Sequence, residues 1–344
     1  MFKIIFVLIG TFIGAGFASG KEVFNFFTVY SYNGLISILI FSILLFLLIY
    51  KCLNIKTKLK IQNYKEYIFY LEKKHIFFNH KFFLIIINIF LASSFYIMTN
   101  ALSALFNYQF NISKIVIILC TISISYIIFY KKNINFIYII NSILMPILIL
   151  FIISLCSTNI NITNIYTNLN LINNKANIFI SIFMGLLYFS YNSLLLIPII
   201  FDLETYIYNN NLKTSFVFSL IIFLITFLIN LLLLSFYNYI YNLELPILYI
   251  SNSSIKIFSY FYFFIILSAI FTTMISSGYS FTSNFNSNNF KTKLIIFLLF
   301  SFIFCFFSFS NLINFFYPIL GLIGFTQIFL ILINKSWKIM LKLV

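Results

Sequence analysis

Ten long apolar runs, set apart by short polar connections, constrain this chain more than any other feature. They fall near residues 3–29, 34–51, 82–106, 112–130, 135–156, 178–201, 215–237, 257–279, 294–310 and 312–334. About 20 apolar residues span the hydrocarbon of a bilayer as a helix, and repeats of that length indicate helices rather than a β-barrel. Of the 344 residues, 62% are hydrophobic and 8% charged, too little polar material to cover the outside of a soluble domain. The expected fold class is an all-α integral membrane protein of ten transmembrane helices, whose first partner is the lipid bilayer.

The charge then reads as topology. A net charge of +15 would suggest nucleic acid in a soluble protein, but lysines in membrane-protein loops fix orientation. The 51–81 connection carries eight lysines, and Lys131, Lys132, Lys213, Lys291, Lys293, Lys335, Lys338, Lys342 and Lys3 fall on the same side. That places 17 of the 21 lysines together and predicts both termini in the cytoplasm, an even number of spans and residence in the bacterial cytoplasmic membrane, with no nucleic-acid partner. Arginine is absent, and the bias toward Ile, Asn, Phe, Tyr and Lys fits A- and T-rich codons. Single Asn, Tyr and Phe residues, and sequons such as Asn161-Ile162-Thr163, therefore carry little weight.

Other signals are weak. Cys52, Cys120, Cys156 and Cys305 are scattered and suggest neither a metal site nor a disulfide framework. His75 and His80 share a lysine-rich loop and read as solvated. Lys3, an apolar run and Ala18-Ser19-Gly20 imitate a signal peptide, but a polytopic protein does not need cleavage there. Tyr64–Lys74 fits either an amphipathic helix on the cytoplasmic surface or a solvated loop. The segment 157–177 reads as an irregular outer connection.

Inside the first run, Gly10-Thr-Phe-Ile-Gly-Ala-Gly-Phe-Ala-Ser-Gly20 holds four of the nine glycines. Each costs a helix roughly 1 kcal/mol relative to alanine, so the cluster predicts an interrupted helix. Broken backbone at membrane depth is tolerated only where protein buries it or it lines a cavity. Dividing the chain into five and five spans, about 1–172 and 173–344, gives span 6 the equivalent place. There Ser190-Tyr-Asn-Ser193 is a polar centre, Ser190 lying 176 residues after Gly14. Paired interruptions in two halves point to a transporter site in an inverted repeat, one transmembrane domain with discontinuous helices 1 and 6. The competing reading of Ser-Tyr-Asn-Ser is polarity used for helix packing.

Such a break frees N–H groups that suit a carboxylate and carbonyls that suit a cation. Both together suit a zwitterion, such as an amino acid, and a coupling ion. In span 8, Ala269, Thr272 and Thr273 share a helical face, where one carbonyl and two hydroxyls could hold Na⁺. Hydroxyls bonded to their own helix are the alternative.

Ile13-Gly-Ala-Gly-Phe-Ala-Ser-Gly-Lys-Glu22 with Phe26-Phe27, then Leu187–Asn192, Glu244-Leu-Pro246, Thr272-Thr273 and Tyr317–Gly321, resembles the YkvI-like bacterial membrane proteins of the amino acid–polyamine–organocation superfamily. The resemblance implies the leucine-transporter-like fold with five-plus-five inverted repeats. It also implies carbonyls of Gly10 and Ile13 facing Ala269, Thr272 and Thr273 across a sodium site. A substrate carboxylate would sit on the N–H groups of Ala15 and Gly16, between Gly14 and Phe17. Tyr188, Phe189 and Tyr191, with Ser190 and Asn192, would form the wall or gate. Tyr96 would either reach the carboxylate or serve packing.

Lys21 and Glu22 are costly in hydrocarbon and should face a cavity, each other or the headgroups. Glu22 has three readings: a seat for a substrate amine, a seat for a proton, or an ion pair with Lys21. Glu244 suits an outer gate, and Asp202 with Glu204 an inner one. The expected function is secondary transport of a small amino acid or related solute by alternating access, coupled to Na⁺ or else H⁺. No enzyme chemistry or cofactor is expected. A non-transporting ligand sensor resembling germinant-receptor subunits is the alternative.

Overall fold

The computed structural model describes residues 2–74, 80–131, 135–173, 177–202, 210–253, 256–282, 285 and 289–333. The first apolar run is not a single rod. Helix α1 (Phe2–Phe12) stops, a single turn α2 (Ala15–Ala18) follows, and α3 (Lys21–Phe26) leaves in a new direction set by Gly20, whose φ is +82°. A 3-10 turn at Thr28–Tyr30 leads into α4 (Ser31–Leu59). Then come α5 (Tyr64–Lys74), α6 (His80–Phe110), α7 (Lys114–Lys131), α8 (Asn135–Asn159) and α9 (Ile162–Asn173). After these follow α10 (Ile178–Asp202), α11 (Asn211–Ser235), α12 (Tyr237–Ile240), α13 (Pro246–Ser253) and α14 (Lys256–Thr282). The last are α15 (Phe290–Leu299), α16 (Ser301–Phe304) and α17 (Phe309–Ile333).

Every one of the ten apolar runs is therefore helical, and the chain is an all-helical, multi-pass membrane protein. Among the described residues, six stretches are long and apolar enough to cross a bilayer: Lys21–Leu59, Ile85–Phe110, Ile178–Asp202, Asn211–Ser235, Ser259–Thr282 and Phe309–Phe329. Of the other runs, the first and ninth are interrupted, α7 is shorter, and α8 meets α9 at a bend of 91°, a pair that can count as a seventh span. Outward faces are apolar, as lipid requires: on α4 the exposed residues Ile36, Leu39, Ile43 and Leu47 follow a helical stripe, while Ile38, Phe41, Leu45 and Leu48 on the other face are buried.

Helix α10 sits at the centre, packed on α17 and α4. The approach to α17 is close because α17 presents glycines. A Cβ at Gly324 would strike the Ser190 carbonyl, and one at Gly321 the Leu187 backbone. Ser190 Oγ donates to the Gly321 carbonyl at 2.6 Å. Elsewhere α4 packs on α11, α6 on α14 and α7, α8 on α1, α11 and α14, and α17 also on α6.

Two sequence expectations are corrected here. Helix α10 runs without a break through Ser190–Ser193, so the interruption expected in span 6 is absent. The polar residues there are satisfied without opening the helix. Ser193 Oγ donates to the Ser190 carbonyl at 2.6 Å, and Asn192 Nδ2 to the Tyr188 carbonyl at 2.9 Å. The described residues of the 157–177 segment are mostly helical, not irregular. Asn161 Oδ1 accepts from the Thr163 and Asn164 N–H groups and starts α9. Asn168 Nδ2 to the Leu234 carbonyl (2.8 Å) and Ser31 Oγ to the Leu169 carbonyl (2.8 Å) then hold that helix down. Of the two readings for Tyr64–Lys74, the helical one is realised, with its apolar side against α10.

Candidate functional site

The break in the first run has a local cause. The Gly14 N–H turns to the Phe12 carbonyl at 3.1 Å instead of reaching back four residues to Gly10. This removes from the Gly10 carbonyl the donor an unbroken helix supplies. Helical bonding resumes when the Ala18 N–H reaches the Gly14 carbonyl at 2.9 Å. The second turn, at Ser19-Gly20, is held by Gly20 N–H to the Phe17 carbonyl at 3.0 Å and by Ser19 Oγ to the Gly16 carbonyl at 3.0 Å. Gly14 and Gly16 differ sharply in surroundings. A Cβ at Gly14 would meet nothing within 4 Å, whereas one at Gly16 would collide with Oε1, Cδ and Cγ of Glu22.

Glu22 is thus folded back into the break. It is 1% exposed, and Tyr191 Oη donates to its Oε2 at 2.6 Å. The Phe17 N–H lies close to the carboxyl group. Tyr188 and Tyr317 bring their phenols to the same carboxyl group, and Tyr317 stacks on Tyr191 with 4.6 Å between centroids. The Tyr188 hydroxyl closes no hydrogen bond, and neither does Asn192 Oδ1. Around this group the rings interlock. Tyr188 lies 5.1 Å from Phe26, 5.2 Å from Phe27, 5.1 Å from Phe41 and 5.4 Å from Tyr191. Phe12 and Phe17 on either side of the break meet edge to face at 5.6 Å.

Lys21 and Glu22 do not pair. Adjacent residues on one short helix point apart, and Lys21 Nζ donates outward to the Leu243 carbonyl at 2.8 Å, 5.3 Å from the Phe24 ring. Two further bonds fix this turn to the 243–262 region: Ile247 N–H to the Ser19 carbonyl at 3.0 Å, and Tyr262 Oη to the Ala18 carbonyl. Glu244 lies electrostatically beside Lys21 and lines a cleft of about 230 Å³ with Asn107, Tyr108 and Leu243.

Of the residues expected to bind a solute, Gly16, Phe17, Tyr188 and Tyr191 come together around Glu22, while Gly14 and Ala15 belong to the same break. Ser190 is committed to α17 instead, and Phe189 is buried. Tyr96 takes the packing alternative. Its hydroxyl donates to the Phe297 carbonyl at 3.0 Å and its ring stacks on Phe304 at 4.7 Å. In α14, Thr272 Oγ1 donates to the Ala269 carbonyl at 3.2 Å, and Thr273 Oγ1 to the carbonyls of Ala269 (2.8 Å) and Ile270 (2.9 Å). These hydroxyls bond their own helix, although α14 packs directly on α2. Phe26, Phe27 and Tyr317, which lie in motifs of the resemblance without an expected site role, join the cluster, as does Phe41, which no sequence signal singles out. In a chain with 24 Tyr and 49 Phe, one more aromatic is not informative.

At the other end of α10, Lys56 Nζ donates to the carbonyls of Ile200 (3.2 Å) and Phe201 (2.8 Å). Asp202 Oδ1 accepts from the first N–H of α5, at Tyr64 (2.8 Å), and Gln327 Nε2 donates to the Tyr64 hydroxyl at 2.9 Å. Tyr67 stacks on Phe201 at 3.9 Å. Burial raises the Tyr64 and Tyr67 phenols well above their ordinary pKa, so both stay neutral. Asp202 thus joins α10 to α5, while Glu204 lies outside the described residues.

No protein-family model matches the chain. It is similar to an uncharacterized membrane protein, YkvI, of Bacillus subtilis (strain 168), with 28% identity over 149 residues. The aligned region covers 43% of this chain and spans 42% of that relative's length.

Proposed function

We propose that the chain is a secondary transporter that moves a small amino acid or related organic solute by alternating access. The observation that carries this is the first helix, broken at Ile13-Gly14 in the middle of a packed bundle with an ionisable side chain folded into the gap. Discontinuous helices supply transporter sites because they expose backbone groups where a regular helix has none to spare. Similarity to a membrane protein over part of the chain is consistent with this reading.

The pattern of helix packing supports the inverted-repeat part. Number the ten runs in chain order, with α1–α3 first, α4 second, α6, α7 and α8 third to fifth, α10 and α11 sixth and seventh, α14 eighth, α15–α16 ninth and α17 tenth. Advancing both partners by five turns α4 on α10 into α11 on α1, α1 on α8 into α10 on α17, α8 on α14 into α17 on α6, and α7 on α14 into α16 on α6, all of which pack. The pairs α1–α10, α4–α11, α6–α14 and α7–α15 map onto themselves. Among the described residues, α6 on α7 and α8 on α11 have no counterpart of similar extent. A two-fold relation between halves of about 1–172 and 173–344 accounts for most pairings in one domain.

Na⁺ is the coupling ion this reading favours, because the freed Gly10 carbonyl lies on the run whose next turn packs against α14. A specific observation favours H⁺ as the second reading: Glu22 is buried with phenols about it and, among the described residues, no basic side chain. The unbroken α10 favours, in turn, a ligand sensor of the same fold, since one of the two expected hinges is missing.

A solute screen in proteoliposomes under imposed Na⁺ or H⁺ gradients tests these readings. Gradient-driven uptake supports transport. Ligand-dependent thermal stabilisation without uptake supports the sensor. Neither response to any amino acid or amine overturns both.

A further inference from the structure

We propose that the break seats its solute by an ammonium group held at the Glu22 carboxylate, and not by a solute carboxylate held on the N–H groups of Ala15 and Gly16. The inference rests on the break being the solute site and names the class it takes: small primary amines, and amino acids through their amino group.

The first argument is that the seat for an anion is already filled. The chain's own carboxyl group lies against Gly16, close to the Phe17 N–H, so the space beside the amides of this turn is taken from within. A second carboxylate there would bring two like charges together in a medium of low dielectric constant, where their repulsion is poorly screened.

The second argument is the charge itself. A carboxylate buried among rings with only neutral donors is costly, and a cation in contact offsets that cost. Among the described residues the chain supplies none. The nearest lysine in sequence, Lys21, is spent on the Leu243 carbonyl.

The third argument is the inventory of unpaired atoms. Asn192 Oδ1 is buried and unpaired, and its amide orientation is set because Nδ2 donates to the Tyr188 carbonyl. The side chain therefore presents an acceptor. An ammonium carries three donors and no acceptor, matching a carboxylate plus an amide oxygen, with the Tyr188 hydroxyl free to accept as well. The faces of Tyr188, Tyr191 and Phe26 add the ring surface that attracts cations. Room for the rest of a small solute lies beside Gly14, where an added Cβ would meet nothing within 4 Å.

The test uses the full chain in lipid nanodiscs and two matched sets of probes: leucine, 3-methylbutylamine and 4-methylpentanoate, and alanine, ethylamine and propionate. Binding is read by calorimetry and by the unfolding midpoint. The expected result is binding of an amine and its parent amino acid, with no binding of the matched carboxylate. Glu22→Gln should weaken the amine by at least about tenfold. Tyr191→Phe, which keeps the carboxylate, should change it only a few-fold. Binding of a carboxylate without its amine overturns the proposal, as does failure of all six probes. These comparisons are made first on the unaltered chain, so misfolding of a variant does not remove the test. Uptake is measured separately. Amine binding without uptake sinks the transporter reading and leaves this inference standing, while uptake of a solute lacking an amino group does the reverse.

Discussion

Tyr191 Oη reaches across from α10 to donate a 2.6 Å hydrogen bond to Glu22 Oε2, joining the broken first helix to the intact helix at the centre of the bundle. The two residues are 169 positions apart, and this bond is a direct polar link between the break and α10. It also explains how a carboxyl group survives burial there: the phenol replaces part of its lost hydration.

Removing the phenol should therefore be felt in the whole protein. Tyr191→Phe leaves an under-solvated carboxylate in place and is expected to cost about 1–3 kcal/mol of stability. Thermal unfolding in detergent checks this, and Tyr317→Phe is the comparison. An unfolding midpoint for Tyr191→Phe equal to that of the unaltered chain would show that the bond contributes nothing.

Gly14 and Gly16 should respond differently to the same added methyl group. Gly16→Ala drives Cβ into Glu22 and is expected to destabilise by about 1–3 kcal/mol through overpacking. Gly14→Ala enters open space and should stay within about 0.5 kcal/mol of the unaltered chain. Equal losses at both positions would refute the placement of Glu22 against Gly16.

The sodium reading has its own readout. If the α14 hydroxyls leave their backbone carbonyls to ligate Na⁺, the double variant Thr272→Ala/Thr273→Ala should raise the Na⁺ concentration for half-maximal uptake by about tenfold or more, on the order of 1.4 kcal/mol. Its stability should change little, because each hydroxyl now bonds only its own helix. Unchanged Na⁺ dependence removes the assignment. A loss of pH-gradient dependence in Glu22→Gln would then move coupling to the proton.

Orientation is testable without any substrate. The lysine asymmetry predicts Lys58 inside and Asn161 outside. In a background where the four native cysteines are replaced, a membrane-impermeant maleimide added to intact cells should label Asn161→Cys and not Lys58→Cys. The reverse pattern inverts the topology.

Much of this architecture was legible in the chain. The ten apolar runs are all helical, and the glycine cluster does interrupt the first of them, because glycine lowers the cost of leaving the helix at a defined place. Span 6 misled for a physical reason. Ser and Asn in an apolar run signal polarity, but polarity is met equally well by a kink or by bonds to the preceding turn, and Ser193 and Asn192 take the second course. The same ambiguity covers Thr272 and Thr273. The outer segment 157–177 looked irregular because its Asn and Thr content resembles loop composition, yet Asn161 caps a helix that α11 and α4 hold in place.

The sequence by itself determined that the chain lives in a membrane, which of its runs are helical, and where the first one fails, since these depend on local composition and hydrogen-bonding capacity. Only the tertiary structure decided what fills the failure. Whether Glu22 turned toward its neighbour Lys21 or inward depended on which donors lay within reach. Tyr191 and Tyr317 arrive there from α10 and α17, helices brought alongside by glycine contacts far along the chain.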